Sequence, residues 1–201
     1  DINNIGIMKI NELLYHNSEL EILNLGHNLY GWDGILALMV TLKAVNKSLK
    51  ILNIDDPSFK HFDQDFFHHI GKMLYSNRSL DKLSLRFNKI RSEGSDIIFT
   101  HLKNNVYLTT LDLSSNQICL DGMNCISILL GITTSLRSLN LGSNQIHDKG
   151  AKILALGIAN NKSLQFLDLT NNGIRQEGLV CICEAFELNE SIRIFKIFKG
   201  N

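Results

Sequence analysis

The residues with the richest potential chemistry are histidines and aspartates gathered between positions 55 and 69 of this 201-residue chain. His61, His68 and His69 lie there among four aspartates, and imidazole and carboxylate groups are common zinc ligands. On a helix only His61 and Asp65, four residues apart, would share a face, while His68 and His69 would diverge by about 100°. We therefore expect a solvated helix start and predict no metal site.

Motifs of nucleotide-binding and hydrolytic enzymes are also missing from the sequence. No Gly-rich phosphate loop and no G-x-S-x-G nucleophile elbow occur. No arrangement of cysteine with histidine recurs either. We therefore predict a protein that is not an enzyme, with no cofactor and no small-molecule substrate.

A leucine pattern, L-x-x-L-x-L, runs along the whole chain, and such a repeat decides the architecture before any local feature does. Its spacing is 28 residues in the later part of the chain, with 29 and 31 near the start. Within each copy of the pattern, called a strand line below, apolar residues alternate with polar ones, which predicts a β-strand. The lines open at seven residues, the last one degraded: Leu20, Leu49, Leu80, Leu108, Leu136, Leu164 and Ile192.

The segment after each line follows its own rule. An asparagine closes most lines, an isoleucine follows two residues later, a glycine six residues later, and then an amphipathic stretch begins. The asparagine amide suits buried loop backbone that has no strand partner, and the glycine suits a close approach at a helix start. The predicted asparagine ladder consists of Asn88, Asn116, Asn144 and Asn172.

One repeat is therefore predicted to consist of a strand, a loop, a helix and a turn. Seven such repeats predict an α/β solenoid, an arc with parallel strands on the concave face and helices on the convex face. We expect a single domain over residues 1–201. The register of the first residues implies a preceding strand, and neither end carries a polar capping unit, so we expect the ordered middle of a longer chain.

The composition narrows the class of partner. Twenty acidic and twenty basic residues give a formal net charge of zero, which argues against binding to nucleic acid or to an anionic membrane surface. No apolar stretch approaches the roughly 20 residues of a membrane span. The partners that remain are other proteins.

The cysteines and the N-x-S sequences have structural interpretations. Four cysteines lack the clustering of a disulfide cap or a zinc site, so we expect small core residues and free thiols in a reducing, intracellular compartment: Cys119, Cys125, Cys181 and Cys183. The N-x-S sequences all fall at the helix-to-strand turn, where turn chemistry outweighs glycosylation. They begin at Asn46, Asn77, Asn161 and Asn189.

The 28-residue unit with L-x-x-L-x-L-x-x-N, then I-x-x-x-G, then a helix resembles the ribonuclease-inhibitor-like leucine-rich repeats. Five of the seven lines carry the asparagine and five the glycine. The resemblance implies a right-handed horseshoe and an intracellular protein-binding role, but the subclass hosts many functions. The N-K-S-L and N-R-S-L turns and the line at 51–57 also resemble leucine-rich-repeat proteins of motile cilia, which implies the axoneme.

These features predict a non-enzymatic protein-interaction scaffold, a subunit of a larger cytoplasmic or axonemal complex. The alternative is a regulator of an enzyme, of the inhibitor or GTPase-activating type, that binds its target on the concave face or loop edge. Leucine-rich-repeat GTPase activators present polar groups from strand ends, and Arg86 is the only arginine that ends a strand line. The acidic tail associated with them is not visible.

Candidate contact residues fall into two groups. The concave positions supply Lys82, Arg86, Asp112, Phe166 and Asp168. The irregular region of the first two repeats supplies the other five. Repeat two replaces the ladder asparagine by Pro57, replaces the glycine by an aromatic residue and is three residues longer, which indicates either a partner contact or a packing repair. Its candidates are Trp32, Asp55, His61, Phe62 and Phe66.

Overall fold

The computed structural model of the protein describes residues 2–57 and 64–198, apart from the side chain of Gln64. Seven helices and seven strands alternate in this part of the chain. The helices are α1 (Asn4–His16), α2 (Trp32–Ala44), α3 (Gln64–Ser76), α4 (Arg91–Leu102), α5 (Leu120–Ile132), α6 (His147–Asn160) and α7 (Gln176–Leu188). The strands are β1 (Ile22–Asn24), β2 (Ile51–Asn53), β3 (Lys82–Ser84), β4 (Thr110–Asp112), β5 (Ser138–Asn140), β6 (Phe166–Asp168) and β7 (Ile194–Lys196).

The strands form one open sheet in chain order, each parallel to the next. Every strand pairs with the equivalent residues one repeat later, as Leu83 does with Leu111. The predicted α/β solenoid is therefore confirmed, with the strands on one face and the helices on the other. No helix within 2–57 and 64–198 combines the length and apolar character needed to span a bilayer.

The core is a continuous layer between sheet and helices. The central leucines of β2 to β6 are at most 2% exposed, and so are most residues of the isoleucine slot, such as Ile118 at 0%. Tyr30 takes that slot in the first repeat and is 1% exposed. The core assignment of these leucines, of the isoleucine slot and of Tyr30 is thus confirmed, while Phe59, predicted for the same slot, lies outside the described residues.

The asparagine ladder is buried and hydrogen-bonded between repeats, as predicted. Asn116 is fully buried. Its amide donates to the Leu85 carbonyl at 2.8 Å and its own carbonyl accepts from the backbone N–H of Asn88, also at 2.8 Å. Asn144 and Asn172 repeat the pattern, so each amide joins the loops of neighbouring repeats.

The ladder breaks at its N-terminal end. The carbonyl Oδ1 of Asn88 is buried and has no hydrogen-bond partner among the described residues. In the other repeats this oxygen accepts from the backbone N–H of the preceding ladder residue, but that residue here is Pro57, which has no N–H. The irregular second repeat therefore lacks the ladder N–H that pairs this acceptor in the following repeats.

A second asparagine ladder runs along the helix-to-strand turns. Asn77 is 2% exposed, donates to the Leu42 carbonyl at 2.7 Å and accepts from the N–H of Leu80 at 2.8 Å. Four more asparagines make equivalent bonds, so the turn interpretation of the N-x-S sequences is confirmed. They are Asn46, Asn105, Asn161 and Asn189.

The predicted helix-start glycines lie where neighbouring helices approach closely. A Cβ on Gly94 would be 2.7 Å from Cδ2 of Phe67, and one on Gly34 would be 2.0 Å from Cγ2 of Ile7. Both distances are shorter than any ordinary contact between carbon atoms. The glycines therefore set the spacing between helices, as expected.

Candidate protein-binding surface

The outward side chains of the sheet form three rows on the concave face, one row for each residue position outside the core. The first row runs from Ile22 to Ile194 and the second from Asn24 to Lys196, one residue per strand. The third row follows the strand ends, from Gly26 to Phe198. The middle of the face carries small side chains, while large apolar ones stand at its ends, with Ile22 62% and Phe198 82% exposed.

Second-row side chains bind the backbone at the end of their own strand. Asp112 accepts from the N–H and the hydroxyl of Ser114, at 2.9 and 2.7 Å, and its other oxygen accepts from the amide of Asn140 at 2.9 Å. Asp168 accepts from both groups of Thr170 in the same way. These polar groups are thus held in fixed positions before any partner arrives.

Arg86 is the best-positioned charged residue on this face. It is exposed, its Nε donates to Oγ of Ser114 at 3.1 Å, and its Cζ lies 5.5 Å from the ring centroid of Phe87. Lys82, four residues earlier on the same strand line, is also exposed. The predicted contact role of these two residues stays a prediction, and the geometry leaves both available.

The other concave candidates are less accessible. Phe166 is half-buried, with Nζ of Lys196 5.1 Å from its ring centroid. Asp168 is only 9% exposed and Asp112 is half-buried. Their hydrogen bonds stabilise the strand ends, so any contact with a partner would use what remains of their surface.

Asp55 is buried, which corrects its place among the contact residues. It is 4% exposed, and its Oδ1 accepts from Oγ of Ser84 at 2.6 Å and from the backbone N–H of Arg86 at 2.7 Å. The carboxylate thus stabilises the end of the next strand. A partner could not reach it without disrupting β3.

Phe66 was a candidate for a partner contact or for a packing repair, and its burial corrects its place among the contact residues. Phe66 is fully buried, with ring centroids 5.8 Å from Trp32 and 5.4 Å from Phe67. In most other repeats a glycine occupies the position of Phe66. Here the aromatic rings fill the corresponding space, which favours the packing repair at this position. Trp32 is half-buried. The two remaining candidates of this region, His61 and Phe62, lie outside the described residues.

The other histidines do not gather into a site. His68 and His69 are half-buried on α3, Asp65 is exposed, and the ring of His68 lies 6.5 Å from that of His101. No group of three or more histidine, cysteine or acidic side chains within the described ranges could hold a metal ion.

The cysteines differ from one another in burial. All four are free thiols, as expected. Cys125 is 6% exposed, and burial raises its pKa to about 11, so the thiol stays protonated and unreactive. Cys183 is exposed. Its assignment to the core is therefore wrong, because its position on α7 faces solvent.

Asp148 caps the helix of the following repeat. Its Oδ1 accepts from the backbone N–H groups of Arg175 and Gly178, both at 2.8 Å, at the start of α7. Asn4 accepts from the N–H of Gly34 in the equivalent position. Sequence reasoning missed these caps, because the capping residue and the helix it caps lie about one repeat apart.

Asp148 should make stability depend on pH. The N–H groups of Gly178 and Arg175 hold the pKa of its carboxyl below its ordinary value of 3.8. The stabilisation is thus complete above the unfolded pKa and is lost as pH falls through the lower folded pKa. We expect Asp148→Ala to lower the urea midpoint at pH 7, with a gap to wild type that shrinks below about pH 4. A gap that stays constant down to pH 2.5 would argue against this cap.

Sequence reasoning also missed Phe87, beside Arg86. It is 44% exposed and has a φ of +57°. Alignment of the repeats could have identified Phe87, because the residues at the equivalent position in other repeats are small or polar. They are His27, Asp56, Ser115, Ser143 and Asn171, all with positive φ.

Comparison with known proteins identifies the repeat. The leucine-rich-repeat family model matches residues 76–94, 104–127, 134–155 and 160–183. NACHT, LRR and PYD domains-containing protein 9 from Bos taurus is 32% identical over 104 residues, which cover 52% of this chain and 10% of that protein. The matched segment is thus a small part of that relative.

Two solved structures share the fold at low sequence identity. Leiomodin-1 actin-binding site 2 is 18% identical with a TM-score of 0.64, over 79% of this chain and 90% of that chain. The tropomodulin C-terminal domain of Caenorhabditis elegans is 17% identical with a TM-score of 0.55, over 70% and 85%. At these identities the likeness concerns the fold alone.

Each stretch that the family model matches contains parts of the strand line, the ladder asparagine or the following helix described above. Six of the seven strands have a leucine at their centre, and the amides of Asn116, Asn144 and Asn172 make the same bonds between repeats. The chain is therefore a leucine-rich-repeat solenoid, with its matches to the family model between residues 76 and 183.

Proposed function

We propose that this chain is a non-enzymatic protein-interaction module that binds its partner on the concave face and adjoining loop edge around β2 to β4. The observation that carries the proposal is the fixed concave surface, whose strand-end side chains already bind backbone groups. A surface ordered in advance loses little conformational entropy on binding. Exposed charged and aromatic side chains gather at one part of it, with Lys82, Arg86 and Phe87 on one strand line.

The solved neighbours support a protein partner. The leiomodin-1 structure is described as an actin-binding site and has the same fold. Protein binding is therefore compatible with a sheet and helix layer of this kind, although the identity of the partner does not follow from fold. We propose other proteins as the partner class, without assigning actin to this chain.

The finer proposal places the module in a larger intracellular assembly, with the motile-cilium axoneme as the first location to test. Its support is the free cysteines and the likeness of the N-K-S-L and N-R-S-L turns to ciliary leucine-rich-repeat proteins. A fluorescently tagged chain expressed in multiciliated cells should concentrate along the axoneme. A uniform cytoplasmic signal would remove this location and leave the binding role intact.

A regulator of an enzyme is the second candidate, and the exposed guanidinium of Arg86 at a strand end favours it. Such an arginine could stabilise negative charge on a phosphoryl group in a bound GTPase. In that case the purified chain should raise the rate of GTP hydrolysis by a co-purifying GTPase, and Arg86→Ala should abolish the effect. A scaffold would leave the rate unchanged.

The binding surface can be tested with paired variants. Lys82→Ala with Arg86→Ala removes two exposed concave charges, and Arg78→Ala with Lys103→Ala removes two exposed charges elsewhere on the solenoid. Both pairs should leave the urea midpoint close to wild type, because surface changes are usually within about 0.5 kcal/mol. We expect quantitative mass spectrometry after purification from native tissue to show proteins lost only with the concave pair. Loss only with the other pair would contradict the proposed surface.

A further inference from the structure

Phe87 differs in type from the residues at the equivalent position of the other repeats. The residues that precede the ladder position have left-handed backbone conformation, with φ between +46° and +58°. Asparagine, aspartate, serine and histidine occupy this position in the other repeats, and left-handed backbone is unfavourable for a bulky side chain. Phe87 adopts it with 44% of its surface exposed. Such strain at an exposed aromatic residue points to a role outside folding.

Arg86 is held against this ring. Its Cζ lies 5.5 Å from the ring centroid of Phe87, and its Nε is fixed by Oγ of Ser114 at 3.1 Å. The two terminal nitrogens of the guanidinium have no hydrogen-bond partner within the described residues. A guanidinium fixed at one edge presents its remaining N–H groups in the geometry that binds a carboxylate with two parallel bonds.

The charges around Arg86 limit the kind of ligand that it can bind. Asp55 is buried under two hydrogen bonds, and both oxygens of Asp112 are occupied. Asp56 lies 3.2 Å from Nδ1 of His27. These three carboxylates belong to the neighbouring strand lines, and none forms an ion pair with Arg86 within the described residues. A polyanion such as a nucleic acid would meet this added negative charge, while a single carboxylate can pair with Arg86.

We propose that Arg86 and Phe87 form one binding site for a partner segment that carries an aspartate or glutamate next to an apolar side chain. The carboxylate pairs with the free edge of the guanidinium, and the apolar side chain covers the exposed part of the Phe87 ring. The site rests on the proposed function, since it lies on the loop edge of the proposed surface. It combines an aromatic residue with an arginine, the residue types that dominate binding energy in protein interfaces.

Phe87→Asn separates a binding role from a structural one. Asparagine tolerates left-handed backbone and occupies this position in Asn171. The variant should therefore unfold at the same or a higher urea concentration than wild type while binding is weakened. A residue needed only for folding would show the opposite, a lower midpoint with binding retained per folded molecule.

The partner chemistry can be found with a phage-displayed library of random 12-residue peptides. We expect peptides selected on the wild-type chain to share an acidic residue beside an apolar one, and to bind roughly tenfold more weakly to Arg86→Ala. Phe87→Asn should weaken binding similarly. Arg78→Ala is the matched control, because its guanidinium also lies 5.5 Å from an aromatic ring, that of Tyr107, at the turn edge.

The proposal is overturned if no peptide is enriched, if the selected peptides lack an acidic residue, or if they bind Arg86→Ala as tightly as wild type. The proposal would also be overturned if an oligonucleotide, such as a single strand of 20 thymidine nucleotides, bound more tightly than every selected peptide. The proposed function is judged separately, by the loss of native partners in the concave double variant. If the native partners are lost with the concave double variant but the selected peptides show no preference for an acidic residue, only the proposed carboxylate site is overturned.

Discussion

Replacing Gly157 by alanine should destabilise the protein by about 3 kcal/mol, the upper part of the usual range for overpacking. A Cβ at this position in α6 would lie 2.4 Å from the backbone carbonyl oxygen of Ser127 and 2.8 Å from its Cα. These atoms belong to the backbone of α5 and cannot rotate away as a side chain could. The two helices would have to separate. Urea unfolding followed by circular dichroism measures the loss.

Gly131→Ala is the matched control on the neighbouring helix. Its Cβ would meet nothing closer than Cβ of Asn160 at 4.0 Å. Alanine is the better helix former, so this variant should be unchanged or more stable by up to about 1 kcal/mol. If both variants lost the same stability, close approach of α5 and α6 would not explain the need for Gly157.

Asn116→Leu should cost about 3 kcal/mol, because it leaves buried backbone groups unpaired on both sides of the ladder. The side chain accepts from the N–H of Asn88 at 2.8 Å and donates to the carbonyls of Leu85 and Ser114 at 2.8 and 3.2 Å. Leucine has a similar size and can make none of these bonds. The difference in unfolding free energy from wild type is the measurement.

Asn88→Leu provides the internal comparison. Asn88 donates to the carbonyls of Ile54 and Arg86, but its own carbonyl has no partner in the described structure. Its removal should therefore cost less, about 1–2 kcal/mol. An equal or larger loss for Asn88→Leu would show that hydrogen bonds between repeats do not determine the stability of the ladder.

The repeat itself could be predicted from spacing alone. Leucine alternation indicated the strands, Asn116 and its equivalents indicated the ladder, and Gly94 indicated a close helix approach. These features repeat with the period of the chain, so each position is supported by the others. The parallel register follows directly, since equivalent residues of successive repeats pair.

The departures from the repeat were harder to interpret. Phe66 replaces a glycine, and its spacing with Trp32 does not show that the two rings meet at 5.8 Å. Asp55 looks like an exposed strand-end charge, but its hydrogen bonds reach the following strand. Asp148 caps a helix whose first turn lies about 30 residues later. Such contacts form between repeats, where the local sequence pattern carries no information.

The proposed binding face is tested most directly by placing a photo-crosslinker, p-benzoylphenylalanine, on either side of one repeat. Thr110 lies on the concave strand beside Lys82, and Asn124 is exposed on the convex helix of the same repeat. Irradiation in native extract should crosslink a partner through position 110, with little product through position 124. Crosslinking through 124 and none through 110 would contradict binding on the concave face.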